Sequence, residues 1–409
     1  MFFSGKAIKN AALIVSIATS FCGWVMPGMA SNLVRKNVSE LTSQEKSAFV
    51  KAVKTLKTTI PEGSTISIYD QFVVTHVETM GFLISDSEGP ATGADAAHRN
   101  AAFLPWHREY LHRFEQALQS VDPTVTVPYW DWTDPTALDV IFNEDFLGLN
   151  GQETIEIPSL GVVQGGSVLS SPFSEASGWV LNPDIHINQF TGESLGTSLL
   201  RFLQVPPADK YPIAQSDIEQ VLSLDNYLLF RPALEGEISI DEEGNVTPGF
   251  FIHNYIHGLV GGFVLDTTMN SPFLPLGTMT SHSSPYDPVF WLHHSNIDRL
   301  WTQWQENGHE GSNFYPSLDQ PFGHNLNDPM WPWDGGVSTP GNMGSGDLLS
   351  LLPVLAPDDI ITPQDTLDFR KYGYTYDTLS ASVPEPTAIL GLFALGLLGV
   401  GSALKGKQI

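Results

Sequence analysis

Cysteine is all but missing from this chain: one residue, Cys22, in 409. A single thiol forms no internal disulfide, so stability must rest on a packed core. Basic charge is scarce as well, with 19 Lys and Arg against 45 Asp and Glu and a formal net charge of -26. That balance argues against nucleic acid or anionic lipid as a partner, and suits a neutral or cationic small molecule or simple solubility. Internal repeats are absent, and no linker separates two independent cores, so one domain is the simplest organisation. Hydrophobic residues make up 42% of the chain, and that content excludes a disordered polymer.

Both ends read as address labels. Lys6 and Lys9 precede the apolar "AALIVSIATSFCGWVM", and the small Gly28 and Ala30 flank Met29 at a cut site. This is the layout of a secretory signal peptide over residues 1–30, and it contains Cys22. At the other end Pro384, Glu385 and Pro386 introduce an apolar run from Thr387 to Leu404, followed by Lys405 and Lys407. The run is long enough to span a bilayer, with its basic residues on the cytoplasmic side. Residues 383–409 resemble the PEP-CTERM sorting tails of Gram-negative bacteria. The resemblance implies transient membrane anchoring, processing by an exosortase-type enzyme, and release to the cell envelope or outside. A permanent single-helix anchor is the alternative.

Between these labels, residues 31–382 read as a mostly helical domain. "ELTSQEKSAFVKAVKTL" places Phe49, Val53 and Leu56 at helical spacing behind a Thr42/Ser43 cap. Further helices are expected around "YDQFVVTHVETMGF", from Trp106 through Leu118, from Asp217 to Leu229, and over "FFIHNYIHGLV" and "FWLHHSNIDRLWTQW". Gly148–Ser198, rich in Gly, Ser and Pro, reads as long connections with short strands at best.

The 12 histidines are unevenly placed. His253 and His257 stand four apart and project from one helical face, a common way to offer two nitrogens to one metal. An exposed helix surface gives the same spacing. His76, His98 and His107 form a second set, and His107 lies among Phe103, Leu104, Trp106, Tyr110 and Phe114, where a satisfied core histidine is the plain alternative. His293 and His294 sit in a third aromatic run, and helical periodicity does not choose between them. Imidazoles without sulfur or nearby carboxylates suit copper, zinc or iron, with copper favoured.

"HRNAAFLPWHREYLHRFE" and "DPVFWLHHSNIDRLW" closely resemble the two copper signatures of the tyrosinase family, and "HNYIHGLVGG" resembles the segment between them. "VRKNVSELT", "PYWDWTD" and "YGYTYD" extend the resemblance from about Val34 to Asp377. It implies a mainly α fold, a helical bundle enclosing a binuclear copper site, with long irregular loops and few short strands. His76, His98 and His107 would then hold one copper, His76 being placed by order and spacing. His253, His257 and His294 would hold the other, with O2 bound as peroxide between the two ions. His293 becomes a packing or hydrogen-bonding neighbour. Acid is expected to release the copper as the rings protonate.

The family also associates an asparagine after the first ligand of the second site with deprotonating monophenols. Here that residue is Asn254, and the partner glutamate that holds a water would be Glu235 in "LEG". "EISIDEEGNVTPG" is inserted between them, which leaves Glu243 as a fallback. Asp298 could orient a ring or clamp Arg299 or another arginine, and a plain helix-surface carboxylate gives the same spacing. Some relatives have a cysteine two residues before the second ligand, linked to a histidine. Ala96 stands there, so no thioether forms and packing alone is expected to hold His98. His112, His186, His282, His309 and His324 are read as non-ligands, His282 being the one expected to face the pocket. Trp130 and Trp132 read as core.

The activity implied is that of an exported copper oxidase turning o-diphenols into o-quinones with O2, with hydroxylation of monophenols as a further step. An o-aminophenol oxidase and a haemocyanin-like oxygen carrier are the rivals. After Asp377 only the tail follows, with no shielding domain, and this argues against the carrier.

Overall fold

A computed structural model describes residues 33–81, 83–85, 91–157, 160–189, 191–241, 243–265, 273–336, 348–353 and 356–379. The signal-peptide segment and the sorting tail with its apolar run lie outside the described residues. Among those described, no helix is long and apolar enough to cross a membrane.

Helix α1 (Ser43–Thr58) starts at the foreseen cap. Thr42 accepts from the Glu45 amide while Glu45 reaches back to the Thr42 amide, a capping box that satisfies two N-terminal donors. Its Phe49, Ala52, Val53 and Leu56 face the core. α2 (Ile68–Gly81) carries His76 on its buried side. α3 (Phe103–Val121) begins three residues before the expected Trp106. The reason lies just upstream: Asn100 accepts from the Ala102 amide at 3.0 Å and donates to the Asp95 and His98 carbonyls, turning the chain into the helix.

α4 (Ala137–Ile141) is one short turn. The single helix expected from Asp217 to Leu229 is two, α5 (Gln215–Leu222) and α6 (Tyr227–Glu235). Asn226 breaks them, because its side chain accepts from the Leu228 amide at 2.8 Å and so caps a new helix. α7 (Ile252–Gly261), α8 (Val289–Trp304) and α9 (Pro363–Thr366) complete the helices.

Strands are short. β1 (Leu33–Arg35), β2 (Leu83–Ser85), β3 (Ala91–Asp95), β4 (Glu153–Ile157), β5 (Gly161–Ser167), β6 (Leu200–Arg201), β7 (Ile238–Ile240), β8 (Val246–Pro248), β9 (Phe263–Leu265), β10 (Phe273–Pro275) and β11 (Tyr374–Tyr376) form small two- and three-stranded sheets. The pair β1 and β11 is parallel, Leu33 opposite Tyr374 and Arg35 opposite Tyr376.

The core lies between α2, α3 and α8. Phe114 stacks on Trp291 at 3.5 Å with planes 5° apart, and the Trp291 indole donates to the Tyr69 hydroxyl at 2.9 Å. Trp130 and Trp132 are core residues, as read from sequence. Buried Asp298 clamps arginines: it accepts from Arg35 at 3.0 Å and Arg108 at 2.5 Å, and from the hydroxyls of Tyr374 and Tyr376. Burial works to raise its pKa, yet Arg108 and Arg35 hold it below the ordinary carboxylate value. Arg299 bonds Asn296 instead.

Candidate metal centre

Packing α2, α3, α7 and α8 together, with the turn that leads from β3 into α3 and carries His98, brings seven histidines into two neighbouring groups. His76, His98 and His107 place one ring nitrogen each within 4.8 Å of one another, and so do His253, His257, His293 and His294. All seven are largely or fully withdrawn from solvent, His257 being the most open. The groups touch: the His294 ring stacks on His107 at 4.4 Å, planes 12° apart. Phe290 and Phe103 fill the flanks, Phe290 against His76 and His294, Phe103 against His107 and His253. None of His112, His186, His309 and His324 joins either group.

Backbone carbonyls set the tautomers. His76 Nδ1 faces the His282 carbonyl at 2.7 Å, His107 Nδ1 that of Phe103 at 2.8 Å, and His257 Nδ1 that of Met279 at 2.6 Å. His253 Nδ1 faces both the Glu235 carbonyl and Asn254 Oδ1 at 3.2 Å. A carbonyl only accepts, so each of these Nδ1 atoms carries the proton and each Nε2 is left with a bare lone pair. The Nε2 atoms of His76 and His107 are buried without a partner. Those of His253 and His257 face each other at 3.2 Å, two lone pairs that repel unless a cation sits with them. This all-nitrogen donor set, without sulfur or carboxylate, fits copper.

His293 and His294 differ in placement. Neither nitrogen of either ring meets a hydrogen-bond partner. His294 turns towards the first group, whereas His293 stacks on His253 at 4.8 Å with Trp132 on its other side. His293 therefore lies within the nitrogen cluster as the stacking neighbour of His253, and of the packing or hydrogen-bonding role expected from the signature the packing part is seen.

Burial drives the His76, His107, His253, His293 and His294 pKa values well below the ordinary histidine value, and that of His257 down to about 4. Neutral imidazole is the form that binds metal. His98 is the exception. Burial acts to lower it, but the Asp95 carboxylate, by charge and hydrogen bond, carries it above the usual value. The expectation that packing alone holds His98 is thus corrected: its Nδ1 lies 3.1 Å from Asp95 Oδ1.

The insertion after Glu235 is excised as a hairpin. β7 and β8 pair, and the chain returns so that the Gly249 amide donates to the Glu237 carbonyl at 2.8 Å and the Phe251 amide to that of Gly236 at 2.9 Å. Gly236, at φ +87°, makes this possible, since a Cβ there would lie 1.7 Å from the Phe251 carbonyl oxygen. Glu235 accordingly stays beside His253, while Glu243 is exposed at the hairpin turn. The Glu235 carboxylate accepts from the Arg99 amide at 2.8 Å and pairs with Arg231. Burial raises its pKa against the pull of Arg231. Arg99 (φ 60°) and Ile252 (φ 39°) hold left-handed backbone beside His98 and His253, so strain gathers at the centre. His282 is partly exposed, feels the charges of Asp95, His98 and Arg99, and gives its backbone carbonyl to His76.

Residues 66–307 match the sequence profile of the common central domain of tyrosinase. The chain belongs to the tyrosinase family. A tyrosinase of Streptomyces glaucescens is 35% identical over 312 residues, spanning 74% of this chain and 92% of the relative. Grixazone synthase of Streptomyces griseus is 31% identical over 370 residues, 84% of this chain and 99% of its own. Among solved structures, a polyphenol oxidase of Thermothelomyces thermophila shares the fold, with a TM-score of 0.51 at 20% identity over 85% of this chain and 89% of that one. Residues 382–405 match the PEP-CTERM protein-sorting motif. The protein is a tyrosinase-type oxidoreductase; the family implies a binuclear copper site, and the two histidine groups fit one.

Sequence reasoning missed Asp95 and the carbonyls of Phe103, Met279 and His282. Asp95 left one signal, an Asp three residues before a histidine in "DAAH", the spacing of a side chain that caps its own turn. The carbonyls left none, because every residue has one.

Proposed function

We propose that His76, His98 and His107 hold one copper and His253, His257 and His294 the other, in an exported enzyme that uses O2 to oxidise o-diphenols to o-quinones. The facing Nε2 lone pairs of His253 and His257, beside a second group joined to the first through His107 and His294, carry this reading. Bound copper would supply the reduction of O2. The protein's share is to fix five of the six imidazoles through their Nδ1 atoms, to hold His294 by ring packing, and to keep water out with Phe103 and Phe290. Asn254 and His257 are only half-buried, so a phenol would reach the metals past them.

Monophenol hydroxylation requires a proton acceptor, and Glu235 with Asn254 would hold the water that serves. Each Glu235 oxygen already accepts one bond but retains a second lone pair, and burial raises its affinity for a proton. The tail supports export, with an exosortase-type enzyme as processing partner and transient membrane anchoring before release.

The test is to express residues 31–382, load copper, and assay tyrosine, catechol and o-aminophenol side by side. Quinone colour with oxygen uptake on catechol is expected. Oxygen binding without quinone would indicate a carrier, and turnover of o-aminophenol alone would redefine the substrate. Replacing His294 by Ala should remove about half of the bound copper; full copper content and oxidation in that variant would overturn the ligand assignment.

A further inference from the structure

Three of the six proposed ligands have Nδ1 bonded to a backbone carbonyl alone, His253 adds the Asn254 amide oxygen, and His294 has no such partner. Only His98 is anchored by a charged side chain. Asp95 Oδ1 accepts from the Ala97 amide at 2.8 Å, from the His98 amide at 2.7 Å and from His98 Nδ1 at 3.1 Å. Asn100 closes the same turn by donating to the carbonyls of Asp95 and His98. Asp95 is only 6% exposed, so water competes little for its oxygen.

We infer that Asp95 is the positioning residue of His98, and that its carboxylate makes the first copper site the tighter of the two. Two consequences follow from one contact. A single acceptor shared by the backbone and the ring of His98 fixes the ring's direction, which a thioether would otherwise do where Ala96 stands. A carboxylate on Nδ1–H also pushes electron density to Nε2 and makes His98 the strongest donor of the six. The second group has no counterpart: Glu235 reaches His253 only through its backbone carbonyl, and spends its carboxylate on Arg99 and Arg231. The first site should therefore fill first and empty last.

This inference rests on the copper reading above, and the experiment separates the two. A His294→Ala chain keeps the first group intact and a His107→Ala chain keeps the second. Copper(I) affinity of each is measured by competition with a chromogenic chelator, with and without Asp95→Asn. Asparagine retains an oxygen for the two amide donors and removes the charge. The expected result is a loss of roughly 10–100-fold in affinity at the first site and less than about 3-fold at the second. The thermal midpoint of the copper-free chain should barely move. Should the Asn variant fail to fold, Asp95→Ser, with a hydroxyl acceptor, replaces it. An unchanged first site overturns the inference, as does an equal loss at both sites. If neither single-group chain binds copper, the copper reading falls and this inference with it.

Discussion

Glu235 serves both histidine groups at once. Its carbonyl receives His253 Nδ1, and its carboxylate receives the amide of Arg99, the residue after His98. Only the carboxylate is at stake when the side chain is changed, and altering it would also leave the largely buried Arg231 short of one partner. Replacing Asn254 by Ala leaves these bonds in place and removes only the second acceptor of His253 Nδ1, which keeps the Glu235 carbonyl. Tyrosine hydroxylation should fall at least about tenfold, while catechol oxidation changes less than about threefold, measured as kcat for each substrate. Glu235→Gln should show the same split together with a lower thermal midpoint. The histidines that gather into the two groups were legible in the sequence through the family signatures, although periodicity alone left His293 and His294 open. Asp95 was not, since an acceptor three residues from a histidine acquires meaning only when the turn closes. Nor was the cluster membership of His293, because periodicity along α8 says nothing of the ring of His253 lying parallel to it.

Helix boundaries were read correctly where a side chain marks them, as at Thr42, and misread where the mark was overlooked, as at Asn100 and Asn226. The break between α5 and α6 is local chemistry that a hydrophobic pattern cannot register. The β7–β8 hairpin was visible only as an insertion whose alignment was unsettled, and its two closing bonds resolve the gap. Because the hairpin meets the body at that base, replacing residues 238–248 by a short Gly-Ser link should leave copper stoichiometry at its full value. The denaturation free energy should shift by no more than about 1 kcal/mol, since shortening a surface loop changes closure entropy little. A loss of the second copper in that variant would show that the hairpin supports α7. Gly261 bears on the same helix from its other end. A Cβ there would lie 2.7 Å from the Thr280 amide, in the turn that carries the Met279 carbonyl to His257. Gly261→Ala should therefore loosen copper at the second group before the first.

Across the whole molecule, Asp298 joins β1, α3, α8 and β11 through two arginines and two tyrosines. Asp298→Ala would leave Arg35 and Arg108 short of a buried counter-charge and should cost about 3–5 kcal/mol in urea unfolding. Copper ligands would be untouched by direct contact. Acid acts on a different set. His186 and His324, both lowered to about 4 by burial, stay neutral in the folded chain while the unfolded chain protonates them near 6.5. Below 6.5 the unfolded state binds more protons, so stability falls as pH drops from there towards 4 and is regained on raising it. His186→Gln should flatten the slope of the thermal midpoint against pH over that window by up to one proton, a change readable in copper-free protein.

The parallel pairing of β1 with β11 also has a kinetic side. Arg35 and Tyr376 are 341 positions apart in the chain. At ribosomal speeds of about 5–20 residues per second, roughly 20–70 s separate the synthesis of the two partners. Throughout that interval the first strand has no β11 edge to join, and Asp298, made 76 positions before Tyr374, waits for its two phenols only over the last part of it. The strand pair and the phenol contacts of Asp298 are thus among the last links the growing chain can make, completed only when nearly all of it has been synthesised.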